Sequence, residues 1–185
     1  QRDDLGVEWA DLLTLTDRAG EALDALGGRQ FGPWEGGEGK VLAAWDAAHL
    51  ALARDAMAAG RPAQAVELLR AALDVPDTLG EERHALGNHA DLWVALGDAY
   101  AASGARDEAE RWWRHAALFD GDFQDMQAVP YSEMTYFAAQ AWGALGEPER
   151  RDALAAGMAD YADELERSQP QIDYFATSLP TMLLF

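Results

Sequence analysis

The sequence predicts an all-α fold made of repeated helix pairs. Alanine supplies 38 of the 185 residues; it has the highest intrinsic helix propensity and lets helix axes approach closely. Val, Ile and Thr are sparse, which disfavours a large β-sheet. A Gly-x4-Ala pattern, which marks the turn into a second helix, occurs at Gly60–Ala65 and again at Gly104–Ala109. Together these observations predict about eight helices in a helical-repeat solenoid.

The clearest helix pair is predicted over residues 90–102 and 106–118. Large and small side chains are placed there so that two antiparallel helices pack together: a large ring fills the gap, a glycine allows close approach, and alanines make room. The residues at these positions are Trp93, Leu96, Gly97, Tyr100, Ala109, Trp113 and Ala116. Their spacing is similar to the tetratricopeptide pattern W-x2-L-G-x2-Y…A-x3-F, with Trp113 in the aromatic position. The chain therefore resembles a tetratricopeptide-repeat protein with about three helix pairs plus capping helices, and such proteins mostly bind other molecules.

Aligned on this pair, the rest of the chain gives the remaining elements. The repeats start about every 42 to 44 residues instead of the usual ~34, and the surplus falls in two insertions, residues 77–89 and 122–131. Both insertions carry Pro or Gly at or near their ends and are predicted to be loops, which on one face of a solenoid often build a binding site. A capping pair precedes the repeats, with Asp17 as the N-cap of its second helix. The other predicted helices span residues 3–15, 17–27, 46–59, 62–73, 132–145 and 148–167.

Three regions are predicted along the chain. Residues 1–41 hold the N-terminal capping helices and a Gly-rich loop, residues 42–168 hold the repeats, and residues 169–185 form an extended C-terminal capping segment. The chain begins at Gln1 and ends on the apolar run 181–185, so we expect it to be part of a longer protein. No apolar run approaches the ~20 residues that a membrane-spanning helix needs.

The formal charge of −19 restricts the partners. It arises from 33 acidic and 14 basic residues. Such a surface repels phosphate backbones and anionic lipid headgroups, so we expect no nucleic-acid partner and no membrane partner. No cysteine is present, which excludes disulfides and thiolate metal sites. We predict no metal and no cofactor, and cationic or neutral polyhydroxy partners remain open.

Three further segments carry a more particular resemblance. They are the loop Pro33–Gly39, the Leu-Gly-Glu triplet at 79–81 and the terminal run Asp173–Pro180. Together they resemble the tetratricopeptide half of a family of large bacterial proteins, in which a β-sandwich region of unknown function, similar to sugar-processing enzymes, precedes the repeats. The resemblance implies a cytoplasmic bacterial protein connected with carbohydrate metabolism, and it makes that β region a candidate partner. It assigns no catalytic residue.

The Gly-rich loop is the first candidate ligand site. A Trp face beside carboxylates commonly holds polyhydroxy ligands, since the ring stacks on C–H groups and the carboxylates accept hydroxyl protons. Trp34, Glu35 and Glu38 provide these groups. Because the loop is tethered to the first repeat, we predict that it lies at the groove face, near Arg54 or the 77–89 insertion. The alternative is a plain turn that uses glycines for their positive φ.

The inner face of the solenoid is the second candidate. In tetratricopeptide proteins the first helix of each repeat lines the groove, and here this face lacks the Lys and Asn that clamp a peptide carboxylate. Acidic peptide C-termini should therefore be rejected. The alternative is a solvated groove that binds nothing in isolation. The candidate contact residues on this face are Arg54, Asp91, Asp98, Tyr136 and Gln140.

Other chemistries fit the sequence less well. The run 36–40 lacks the first Gly and the final Ser or Thr of a phosphate-binding loop. His84 and His89 have a spacing that matches no zinc pattern. Asp173 and Tyr174 either cap the last helix pair or supply a carboxylate to a partner site. Paired carboxylates run glycoside hydrolysis, but among 33 acids such pairs also arise by accident, so no catalytic residue is predicted.

We therefore predict an interaction or ligand-presenting module of a larger bacterial protein. Its partner is a protein, a peptide or the β region of its own full-length chain, with a carbohydrate as a further candidate. The alternative is an accessory half of a carbohydrate-active enzyme, to which Trp34, Glu35 and Glu38 contribute a sugar site. A third interpretation is a structural spacer or dimerisation element. An ordered Trp-Glu loop facing the groove distinguishes the enzyme half from a scaffold.

Overall fold

The computed structural model describes residues 2–84, 87–119, 122–124 and 127–168. These residues form eight α-helices, one 3-10 helix and one two-stranded hairpin. The α-helices are α1 (Asp3–Leu15), α2 (Ala19–Gly27), α3 (Lys40–Ala58), α4 (Pro62–Leu73), α5 (Ala90–Ala102), α6 (Arg106–Leu118), α7 (Glu133–Ala144) and α8 (Pro148–Arg167). The prediction that the chain folds mainly into packed α-helices is confirmed, and within the described ranges no helix is both long and apolar enough to cross a membrane.

Two elements differ from the sequence prediction. α3 begins at Lys40 rather than at Asp46, because a carboxylate from a distant segment caps its first turn. The predicted 122–131 loop contains an antiparallel hairpin, in which β1 (Asp122–Gln124) pairs with β2 (Gln127–Val129). The segment contains Phe123 and Val129, and these residue types favour extended backbone. The surplus between repeats is therefore partly regular structure.

All four helix pairs are joined by the same kind of turn. One residue of each turn has a φ between 61° and 81°, and the N–H of the next residue donates to the carbonyl oxygen five positions earlier, at 2.8 to 2.9 Å. This is a Schellman closure, which favours glycine because a side chain strains left-handed backbone. The left-handed residues are Asp17, Gly60, Gly104 and Gly146.

The N-terminal pair therefore has the turn geometry of the other three pairs. Asp17 occupies the left-handed position that glycine occupies elsewhere. The prediction that Asp17 is the N-cap of α2 is wrong, because Arg18 precedes α2 and makes no side-chain cap. Asp tolerates left-handed backbone better than most residues, which explains how it replaces glycine. The described residues thus contain four equivalent pairs.

The helix pairs stack in chain order. Each helix packs on the next one along the chain, and the first helices of successive pairs also touch: α1 on α3, α3 on α5 and α5 on α7. The first helices therefore share one side of the stack. A small buried residue, which favours close helix packing, stands seven positions before each turn. These residues are Ala10, Ala53, Gly97 and Ala139.

Most of the packing predicted between α5 and α6 is present, whereas Leu96 belongs to the core cluster shared with the preceding pair. Trp93, Leu96, Ala109, Trp113 and Ala116 are at most 6% exposed, and Tyr100 is partly buried. Gly97 lies against the Trp113 ring, since a Cβ on Gly97 would be 2.5 Å from ring atoms Cδ1 and Nε1. The ring is also held by a hydrogen bond that Nε1 donates to Asp98 Oδ1 at 2.9 Å. A larger residue at position 97 would displace this tryptophan.

The left-handed turns give a matched pair of stability predictions. Gly104→Ala should lower the free energy of unfolding by about 1 kcal/mol, because a Cβ strains left-handed backbone. Asp17→Gly removes such strain, so stability should stay unchanged or rise by up to about 1 kcal/mol. Urea denaturation followed by circular dichroism measures both values. A clear loss of stability in Asp17→Gly would show that the Asp17 side chain stabilises the first turn.

Candidate functional site

A cavity of about 680 Å³ opens between the Gly-rich loop and the 77–89 insertion. Its walls come from residues 32–34 and 37–39, from the first turns of α3 and from the insertion from Leu79 onward. α5 and α7 contribute Asp91 and Met134, so every first helix from α3 onward reaches it. The cavity therefore lies on the side of the stack that the first helices share, and its volume is typical of small-molecule sites.

Main-chain contacts hold the Gly-rich loop against the insertion. The N–H of Phe31 donates to the Thr78 carbonyl oxygen at 2.8 Å, and the Phe31 side chain is buried. Gly80 has a φ of 70°, and a Cβ on it would lie 2.6 Å from the Phe31 carbonyl oxygen. Only glycine meets both demands without strain. Gly80 thus permits the close approach of the two segments.

Glu81 caps the start of α3 from the insertion. Its carboxylate accepts hydrogen bonds from the N–H of Gly39 at 2.9 Å and from the N–H of Leu42 at 3.2 Å. Gly39, the residue before the helix, has no side chain with which to cap it. A carboxylate at this end also complements the helix dipole. In the Leu-Gly-Glu triplet, Leu79 is fully buried, Gly80 gives the close approach and Glu81 gives the cap.

Trp34 forms part of the cavity wall. Its indole lies over Gly37, where a Cβ would be 2.1 Å from ring atom Cε2. The ring is partly buried and packs against the core shared by α1, α2 and α3. Glu38 also lines the cavity and is exposed. The glycine loop is therefore folded back onto its own tryptophan.

Arg83 connects the insertion to the helix stack. Its guanidinium makes a bidentate ion pair with Asp46 on α3, with Nη1 2.9 Å from Oδ2, and the two side chains are only 14% and 13% exposed. Nη2 also donates to the Ala72 carbonyl oxygen at 2.7 Å. Nη1 lies 3.2 Å from His89 Nδ1, which must accept because a guanidinium has no acceptor. Three separate segments thus meet at Arg83.

Negative charge predominates around the cavity. Glu38, Asp46, Glu82 and Asp91 line it, and Arg83 is already paired with Asp46. Burial raises the pKa of Asp46, where Arg83 opposes the rise, and burial also raises the pKa of Asp91, where the charge of Asp46 adds to it. Burial and the neighbouring guanidinium lower the pKa of His89 to about 4. An anion would meet like charge here, whereas hydroxyl and cationic groups meet acceptors.

The structure brings some of the predicted site residues together and leaves others apart. Those that line the cavity are Trp34, Glu38 and Asp91. Those of the described residues that are not part of its lining are Glu35, Arg54, Asp98, Tyr136 and Gln140. Asp173, Tyr174 and the rest of the predicted capping segment lie outside the described residues. The sequence predicted that the Gly-rich loop lies near Arg54 or near the 77–89 insertion. The cavity that this loop lines is formed with the insertion, and Arg54 is not part of its lining.

Sequence reasoning missed Asp46, Arg83 and His89. Arg83 was overlooked although it is a basic residue in an acidic insertion, and its partner Asp46 is 37 residues away. The spacing of His89 from His84 matches no zinc pattern, and in the structure its Nδ1 accepts from Arg83. An isolated arginine in an acidic segment indicates that it pairs with a carboxylate. The sequence does not identify which of the 33 acidic residues is that partner.

Comparisons with known proteins add no assignment to this geometry. No protein-family model matches the chain, and no solved structure matches it. Function is therefore inferred from the cavity, its charge and the helix pairs that form it.

Removal of the Glu81 carboxylate should loosen the start of α3. Glu81→Ala leaves two backbone donors without their acceptor, so the free energy of unfolding should fall by about 1–2 kcal/mol. Glu82→Ala, at an exposed neighbouring acid, is the matched control and should change stability by less than about 0.5 kcal/mol. Urea denaturation measures both. Equal effects of the two substitutions would show that the cap contributes nothing.

The depressed pKa of His89 predicts a loss of stability in acid. The folded value of about 4 lies below the ordinary 6.5, so the unfolded chain binds the proton more readily between these pH values. Stability should therefore fall as the pH drops through that interval. His89→Asn should lose less stability than the wild type between about pH 7 and about pH 4.5, measured by urea denaturation at each pH. Parallel pH profiles for the two proteins would refute this role.

Proposed function

We propose that this chain is a tetratricopeptide-like helical-repeat module that presents a ligand pocket to a larger assembly. The support for the tetratricopeptide-like architecture is threefold. The packing residues of α5 and α6 follow the pattern, four pairs share one turn geometry, and the first helices share one side. A groove lined by first helices is the usual binding surface of such a solenoid.

The observation that carries the proposal is the cavity itself. It is built where the loop, the insertion and the first helices meet, and each of these is tied to another by a specific contact: Phe31 to Thr78, Glu81 to the start of α3, and Arg83 to Asp46. Fixing a glycine-rich loop in one conformation costs conformational entropy. A spacer needs no such pocket, whereas a binding site gains affinity from walls that are formed in advance.

The ligand class that we propose is a neutral polyhydroxy molecule, such as a carbohydrate. The volume suits a small molecule better than an extended peptide. Trp34 offers a ring for C–H groups, and the carboxylates of Glu38 and Asp91 are acceptors for hydroxyl protons. Anionic sugars and phosphorylated ligands are disfavoured because the lining carries more carboxylates than cations.

The alternative function, an accessory half of a carbohydrate-active enzyme, is supported by the same wall of Trp34 and Glu38. The carboxylates here suit binding better than catalysis, since Asp46 is paired with Arg83 and Glu81 accepts two backbone N–H groups. Under this alternative the chain supplies part of a sugar site. A β region of the longer protein that the sequence resembles would supply the reacting groups.

A calorimetric screen tests the proposal. Neutral mono- and oligosaccharides are titrated into the protein, and at least one should bind. Trp34→Ala should weaken that ligand about tenfold, the equivalent of one lost stacking contact. Arg54→Ala, at an exposed residue of α3 outside the cavity, should bind like the wild type.

Two results would contradict this ligand class. One is that no neutral sugar binds, while a basic peptide or a polyamine binds to the wild type and not to the Asp91→Asn variant. The other is a sugar whose affinity is the same in Trp34→Ala as in the wild type, which would place its site elsewhere on the chain.

A further inference from the structure

A stripe of apolar side chains is exposed on α1. Leu5, Trp9 and Leu12 are 57%, 49% and 51% exposed. Their spacing of four and three residues places them in one row along the helix, called here the α1 stripe. Single exposed apolar residues are ordinary, but a continuous row that includes a tryptophan is typical of an interaction surface.

The same positions are buried in a later helix pair. Counted back from the left-handed turn residue, the α1 stripe occupies the twelfth, eighth and fifth positions. In α5 these positions hold Leu92, Leu96 and Ala99, and all three are 0% exposed. They belong to one core cluster with the preceding pair, whose second helix, α4, contributes Ala65, Leu69 and Ala72.

In the other first helices most of these positions are used in the same way, but Asp55 of α3, the counterpart of Leu12, is exposed. Ala48 of α3 joins the core of the pair α1–α2. Met134 and Ala141 of α7 pack with the core of the pair α5–α6. These positions therefore form the surface with which each first helix packs on the pair before it. In α1 this surface is present and exposed.

We infer that the α1 stripe is a docking surface for an α-helical hairpin that lies outside residues 1–185. The hairpin presents a ridge of small and medium apolar residues, Ala-x3-Leu-x2-Ala, like the ridge of α4. The stripe continues the interface that already joins the pairs within this chain, and this continuity specifies the shape of its occupant.

A second copy of this chain suits the stripe poorly. Glu8 lies beside the stripe, and Asp11 is one helical turn after Glu8. Each copy of the chain carries a formal charge of −19. Burial and the Glu8 charge raise the pKa of Asp11, so this flank already carries unfavourable negative charge. Two such surfaces repel each other. The partner hairpin is therefore less acidic than this chain.

The test uses the chain's own α3–α4 pair in place of the partner. A fusion protein carries residues 40–89 directly before residue 3, so that α1 follows the added pair as α5 follows α4. The natural sequence has no cysteine, so Leu12→Cys introduces one thiol per molecule into the stripe. The rate of its labelling by a maleimide is compared between the fused and the unfused protein.

Docking should slow labelling of Leu12→Cys on the order of tenfold or more in the fusion protein. Leu15→Cys is the matched control: Leu15 is 82% exposed, its equivalent in α5 is the exposed Ala102, and its rate should be the same in both proteins. Leu5→Cys provides a second reading if Leu12→Cys does not fold. Equal rates for the stripe cysteines in both proteins would overturn the inference.

Light scattering on the unfused natural protein tests whether a second copy of this chain occupies the stripe. A monomer at micromolar concentration is expected. A dimer or filament that Trp9→Glu dissociates would assign the stripe to a second copy of this chain and would overturn the inference that a separate helical hairpin occupies it.

Discussion

The ion pair between Arg83 and Asp46 is the contact on which the candidate site depends. It joins the insertion to α3 while Arg83 also reaches the end of α4 through the Ala72 carbonyl oxygen. Both side chains are largely buried, so the pair forms only because bidentate geometry and the extra hydrogen bond offset the loss of hydration. In a chain of −19 charge, this pairing uses one of 14 basic residues to neutralise an interior acid.

The position of Arg83 determines the position of its neighbours in sequence. Glu81, two residues earlier, reaches the N–H groups at the start of α3, and Gly80 lies against the Phe31 carbonyl oxygen. Each contact brings the insertion and the Gly-rich loop nearer to the same end of α3. The cavity is the space that remains between them. Its walls are therefore coupled: a change that releases Arg83 is expected to release the Trp34 loop as well.

The helices could be predicted from the sequence, whereas the site could be predicted only in part. Packing at Trp93, Gly97 and Trp113 follows from local spacing within one helix pair, and the structure has these contacts. The turn at Asp17 has no glycine to mark it in the sequence, because Asp occupies the left-handed position. Helical periodicity predicts a late start for α3, because the cap that extends the helix to Lys40 comes from Glu81, about forty residues away. Contacts across such separations leave no periodic signal, and the Arg83 pair belongs to the same class.

The central claim, that Arg83 and Asp46 hold the cavity walls together, is tested most directly by hydrogen exchange on a variant in which both are replaced. Asp46→Leu combined with Arg83→Met removes the pair without leaving a lone buried charge. Faster amide exchange is expected in both residues 31–42 and residues 77–84, with exchange in α6 unchanged. Unchanged exchange in residues 31–42 would contradict this claim, because the loop would then be held independently of the ion pair.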